Sequence, residues 1–211
     1  HPRPWAFAPL LAALTLAHAA APVPLATRRE LFVDNHLVHT LSGGAALRLH
    51  APTPRDVAVT HDRPWEGNTC AYHTVFKDGD RYRMYYRASH AARNADRMKS
   101  DHPEFTCYAE SADGIHWTKP DLGLFEFNGS TSNNIVWTGR GTHNFTPFKD
   151  ANPHCSPAAR YKALASGGGL LAFQSPDGIH WSLMHPKAVI TKGAFDSQNL
   201  AFWDPVRNCY V

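Results

Sequence analysis

Ser111-Ala112-Asp113-Gly114-Ile115-His116-Trp117 returns further along the chain as Ser175-Pro176-Asp177-Gly178-Ile179-His180-Trp181, with six of the seven positions identical. Each copy follows a short apolar stretch, Cys107-Tyr108-Ala109-Glu110 in the first case and Leu171-Ala172-Phe173-Gln174 in the second. Asp-Gly after such a stretch is tight-turn chemistry. Glycine enters the positive-φ region without a Cβ clash, and aspartate hydrogen-bonds to the backbone just beyond it. Each copy therefore reads as a β-hairpin, with Ile-His-Trp opening the returning strand.

Working outward, Arg81-Tyr82-Arg83-Met84-Tyr85-Tyr86-Arg87 precedes the first hairpin and Arg160-Tyr161-Lys162-Ala163-Leu164-Ala165 the second. Before these stand Val75-Phe76-Lys77-Asp78 and Pro147-Phe148-Lys149-Asp150. The repeat is thus a unit of four short antiparallel strands, the sequence form of a propeller blade. Further strands are expected at Thr106–Ala109, Asn134–Trp137, Leu170–Gln174 and Asn199–Trp203, where β-branched and aromatic residues lie between Gly, Asp, Asn and Pro. No segment has the length and 3.6-residue period of a helix. His90–Pro103 is polar and unpatterned, and reads as a long surface loop. Asn199-Leu200-Ala201-Phe202-Trp203-Asp204-Pro205 resembles the opening of a third unit. The expected fold class is all-β, a propeller of which this chain, as a fragment, carries two blades and the start of a third.

The beginning of the chain differs in kind. Ala6–Ala21 is an Ala- and Leu-rich apolar stretch after Arg3, and Ala17-His18-Ala19 supplies a small-x-small cleavage pattern. Residues 1–19 are expected to be a signal peptide, residues 20–29 a Pro-containing linker, and residues 30–211 the propeller part. The expected location is secreted or periplasmic, with no membrane association after cleavage. The net charge of +3 over 211 residues is scattered, with no run of five or six Lys or Arg. That excludes the usual footprint of a nucleic-acid partner. Cys70, Cys107, Cys155 and Cys209 lack any Cys-x-x-Cys spacing, which argues against a thiolate metal site. Disulfides and buried free thiols both remain open. The 14 histidines show no i, i+4 pair with carboxylate company, so neither a metal nor a cofactor is expected.

Tyr72-His73-Thr74-Val75-Phe76-Lys77-Asp78-Gly79-Asp80-Arg81-Tyr82-Arg83-Met84-Tyr85-Tyr86 resembles the first blade of family 43-type glycosidases. The wider group, families 32, 43, 62 and 68 with the invertases, levansucrases and arabinanases, shares a five-bladed propeller. Its inner strands carry an acid from each of the first three blades. The resemblance implies a secreted glycoside hydrolase acting on a poly- or oligosaccharide. Where the family carries an Asp, this chain has Tyr72, and Glu66 in Trp65-Glu66-Gly67-Asn68 is the nearest substitute. The second blade offers His143-Asn144 without an acid, and the third offers Asp196. Cleavage of a glycosidic bond calls for two carboxyl groups, one donating a proton and one acting as base or nucleophile. Asp196 and Glu66 are the catalytic candidates. Trp65, Asn68, His73, His143, Asn144, Gln198 and Asn199, at inner-strand entries, are candidates for binding sugar hydroxyls. A non-catalytic carbohydrate-binding propeller and an inverting glycoside phosphorylase are the alternatives. Sequence leaves the oligomeric state open.

Overall fold

A computed structural model describes residues 22–27, 30–94 and 97–211; the expected signal peptide lies outside the described residues. The chain divides into two compact units, His1–Pro54 and Arg55–Val211. The described part of the first carries no helix or strand, and every strand lies in the second.

The second unit is built from two four-stranded antiparallel sheets. In the first, β1 (Ala71–Asp78) turns through Gly79 into β2 (Arg81–Ala88), which pairs with β5 (Phe105–Ser111), and β5 with β6 (Ile135–Thr138). Between β2 and β5, the segment expected to be a plain loop contains a small hairpin, β3 (Ala92–Asn94) with β4 (Arg97–Lys99). The second sheet is a meander of β7 (Thr146–Lys149), β8 (Tyr161–Ser166), β9 (Leu170–Ser175) and β10 (Ser182–Leu183). A 3-10 turn, Pro157–Ala159, is capped by the Ser156 side chain. Finally β11 (Trp203–Asp204) pairs with β12 (Cys209–Tyr210). The expected strand Asn199–Trp203 is therefore mostly irregular, with only Trp203 in a ladder.

The two repeat copies are wired alike. Ser111 Oγ accepts from the Gly114 backbone, Asp113 Oδ1 accepts from Ile115 and His116, and the Trp117 indole donates to Gly114 O. Ser175, Asp177, Gly178 and Trp181 make the same bonds. Gly114 and Gly178 sit at φ +79 and +80. Because these bonds hold Ile115 to Trp117 and Ile179 to Trp181 in a bend, the returning strand starts later than expected. It amounts to one bridge, Glu110 with Thr118, in the first copy and β10 in the second. In the first sheet β6 takes the fourth place instead.

Equivalent strands meet through a repeated contact. Asp78, at the end of β1, accepts from Arg83 Nε (2.5 Å) on its own sheet and from the Tyr161 hydroxyl (2.6 Å) on the next. Asp150, just beyond β7, accepts from Lys162 on its own sheet and from the Tyr210 hydroxyl (2.7 Å) in the following ribbon. Asp78/Asp150, Arg83/Lys162 and Tyr161/Tyr210 thus form one tether used twice. Behind it the sheets share a core of Tyr85, Tyr108 and Val136 against Phe145, Ala163, Ala165, Leu171, Phe173 and Trp181. The alternation of β2 sends Met84, Tyr86 and Ala88 to the other face, where they pack with Phe105, Cys107, Ala109 and Ile135. The first sheet is therefore covered on both sides.

Candidate functional site

The ends of β1 and β2 beside Ala71 and Arg87 and the segments before β7 and around Asp196 come together. β1 bulges between Ala71 and Thr74, and Tyr72 there has φ +56. For a bulky side chain that backbone is a strained outlier, of the kind that concentrates at functional sites. Ser197, across from it, has φ +59. The two strained segments are tied together: Gln198 Nε2 donates to Tyr72 O (3.2 Å) and Thr74 Oγ1 (2.8 Å). Buried Asn144 donates to the carbonyls of Phe195 and Ser197 and accepts from Ser166.

On this mouth the Arg87 guanidinium lies over the Tyr72 ring at 4.8 Å, and the His143 ring meets Tyr72 edge-on at 5.5 Å. Arg87 donates to His143 (3.2 Å to Nε2) and His143 Nδ1 reaches Glu104 at 3.0 Å. One neutral tautomer satisfies both bonds, Nδ1–H donating to the carboxylate and Nε2 accepting from Arg87. Glu104 itself is 3.7 Å from Arg87, and its side chain is 31% exposed. Asp196 is exposed, and its carboxylate accepts from the Ser197 backbone at 2.8 Å.

Glu66 belongs elsewhere, and the expectation that it faces the mouth is corrected. Its side chain is fully buried (0% exposed). It accepts from Tyr86 (2.5 Å), Arg63 N (2.8 Å) and Lys119 (2.8 Å), with His61 Nδ1 at 3.4 Å. Burial opposes its ionisation, but His61, Lys119, Tyr86 and the Arg63 amide outweigh that and hold the carboxyl at about 2. Tyr86 lies on the face of β2 opposite Arg87, so Glu66 and the Arg87 cluster fall on opposite sides of the first sheet. A carboxylate so placed is a structural anchor for the loop before β1. The Cys70 thiol and then Glu66 raise His61 to about 9, while burial and the adjacent His61 lower His73. The two Nε2 atoms stand 2.9 Å apart.

The other candidates divide similarly. Trp65 donates to Asn134 (2.6 Å) and packs on the second core, so it is structural. Asn68 spends both ends of its amide on the Ala91 backbone. His73 stacks on Tyr86, on the Glu66 side. Asn144, which is buried, and Asn199 bond to the carbonyls of the 195–197 turn. His143 and Gln198 both meet the Tyr72 segment, and Asp196 lies in the 195–197 turn that Asn144 holds beside it. Tyr72, Arg87 and Glu104 were not foreseen. Arg87 could have been found from the alternation of Arg81–Ala88, which sets it on the Tyr85 face. All four cysteines are free, and the described residues contain no group of three side chains able to hold a metal ion.

No protein-family model and no curated protein matches the chain. A solved structure with a TM-score of 0.30 and 16% identity comes from work on the GH130 family of mannoside phosphorylases, which contains glycoside hydrolases that target beta-1,2 mannosidic linkages in Candida mannan. The likeness covers 67% of this chain and 59% of that one. So low a similarity assigns neither fold nor activity; the all-β character rests on the sheets themselves.

Proposed function

We propose that this chain is part of an exported carbohydrate-processing propeller in which the two meanders and β11–β12 are successive blades, and that the mouth at Tyr72, Arg87, His143 and Asp196 binds a glycan and cleaves a glycosidic bond. The observation that carries the reading is the convergence of three strand entries, two of them strained, on one polar cluster. The sequence resemblance to propeller glycosidases supports it. Tyr72 offers a ring face for a sugar, and Arg87 and His143 offer hydrogen-bonding groups around it. Glu104 and Asp196 are the carboxyl pair for acid and base roles, with Glu104 replacing Glu66.

The test is release of reducing ends from an oligosaccharide panel by the protein. Glu104→Gln and Asp196→Asn should each lower turnover at least a hundredfold, with melting unchanged. Full activity in both variants would overturn the assignment. Product formation that requires inorganic phosphate would replace hydrolysis with phosphorolysis, and binding without turnover would make the site lectin-like.

A further inference from the structure

Four buried side-chain polar atoms among the described residues lack a hydrogen-bond partner: Arg87 Nε, His90 Nδ1, His102 Nε2 and Thr106 Oγ1. Such atoms are uncommon in native interiors and each calls for a reason. Arg87, His90 and His102 all line one cavity of about 530 Å³ beside the mouth, together with Ser89, Ser100 and His143. That volume suits a sugar-sized ligand.

The three atoms differ in what they need. Arg87 cannot shed its charge, and its side chain is only 14% exposed. Its NH1 is spent on His143 and its NH2 has a long contact, 3.4 Å, to Thr69 O. Nε has nothing, and the nearest carboxylate, Glu104, stands 3.7 Å away from NH1 while bonding to His143. A buried cation without a hydrogen-bonded counter-charge is costly, and its fork fits an oxyanion. His102 has the opposite need. Its Nδ1 is 2.7 Å from Pro103 O, a pure acceptor, so Nδ1 carries the proton and neutral Nε2 is an acceptor lacking a donor. The ring is fixed by stacking on Phe105 at 5.4 Å. His90 Nδ1 lies 2.8 Å from Asp101 Oδ2 but out of line for a hydrogen bond.

Given a carbohydrate-binding mouth, we infer that this cavity takes an acidic sugar, whose carboxylate or sulfate group accepts from Arg87 and whose hydroxyl donates to His102 Nε2. A neutral sugar supplies the hydroxyl but leaves Arg87 with only the 3.7 Å approach of Glu104, a carboxylate already bonded to His143. A free inorganic anion supplies the charge but no hydroxyl. Glu104, held by His143, keeps the acid or base role proposed for it.

Calorimetric titration of the full chain tests this with matched oligosaccharides: one bearing uronate carboxylates, its carboxyl-reduced neutral counterpart, a sulfated analogue, and inorganic phosphate. The acidic forms should bind at least tenfold more tightly than the neutral one, and whichever of the uronate and the sulfate binds better names the oxyanion. Arg87→Gln should erase the tenfold preference. His102→Phe, which keeps the stack on Phe105, should weaken acidic and neutral forms alike by about tenfold, and it keeps the test open if the Arg87 variant fails to fold. Equal affinity for acidic and neutral forms overturns the inference and leaves the carbohydrate reading standing. Phosphate binding with no glycan binding overturns both.

Discussion

Replacing Asp78 by Asn tests the tether between the two sheets. The carboxylate is 8% exposed and accepts from Arg83, Lys149 and Tyr161. Burial disfavours its charge, yet Lys149, Tyr161 and Arg83 hold its pKa at about 2 rather than the ordinary 3.8. A depression of that size corresponds to roughly 2.5 kcal/mol favouring the ionised form. Asn keeps the shape but removes the charge. Lys149, whose side chain is 39% exposed, can turn to water, whereas the Arg83 side chain, 12% exposed, cannot readily do so. The expected loss is about 2–4 kcal/mol, nearer the cost of breaking a buried pair than a surface one. For a domain of this size that is a fall of about 5–15 °C in Tm. The pH dependence carries the sign. With the folded pKa below the unfolded one, the stabilisation is complete above about pH 4 and is lost as pH falls through about 2. Native and Asp78→Asn melting curves should therefore differ at pH 7 and converge near pH 2. A difference below about 0.5 kcal/mol at pH 7, or one that does not shrink on acidification, would refute the reasoning.

Tyr161→Phe in the Asp78→Asn background should cost less than in the native chain, because the two share one bond; full additivity in a double-mutant cycle would show that they do not. Glu66→Gln should destabilise by about 3–5 kcal/mol through the stranded Lys119; unchanged denaturant midpoints with lost turnover would return Glu66 to the chemistry. Gly178→Ala should be worse than Gly114→Ala. Both glycines have positive φ, but a Cβ at Gly178 would meet the Tyr85 hydroxyl at 2.7 Å, while at Gly114 the nearest atom, on the Tyr82 ring, is 3.6 Å away. Equal Tm values for the two variants would contradict that geometry.

The turn units were legible in sequence because their chemistry is local. Ser111 and Asp113 bond within five residues of themselves, so seven letters specify the bend. The order of the second sheet and of the first three strands of the first followed from the repeat, whereas the fourth place of the first sheet, taken by β6, did not; the approach of Asn144 to the 195–197 turn followed from strand entries. What failed was long-range. Glu66 looked free because Tyr86 lies 20 residues away and Lys119 53, and nothing local announces either partner. Trp65 is expected among the residues binding sugar hydroxyls for the same reason, its indole being claimed by Asn134, 69 residues away. The β3–β4 hairpin was missed because its residues are charged and lack alternation. Tyr72 was seen as a departure from a family pattern, but its left-handed backbone is set by the bulge and by Gln198.

The Asp–Tyr tether has a direction. Each acid sits at or just beyond the end of a sheet's first strand and accepts from a cation of its own sheet and from a tyrosine hydroxyl of the unit that follows. The join is heterologous, a head that always meets the next tail, so units arranged this way lengthen by repetition of one interface. Coupling then runs between immediate neighbours, and a lesion at one seam is felt chiefly by the two units that flank it. Sequence drift within a unit is tolerable in such an array, while the three letters of the seam are not free to move independently.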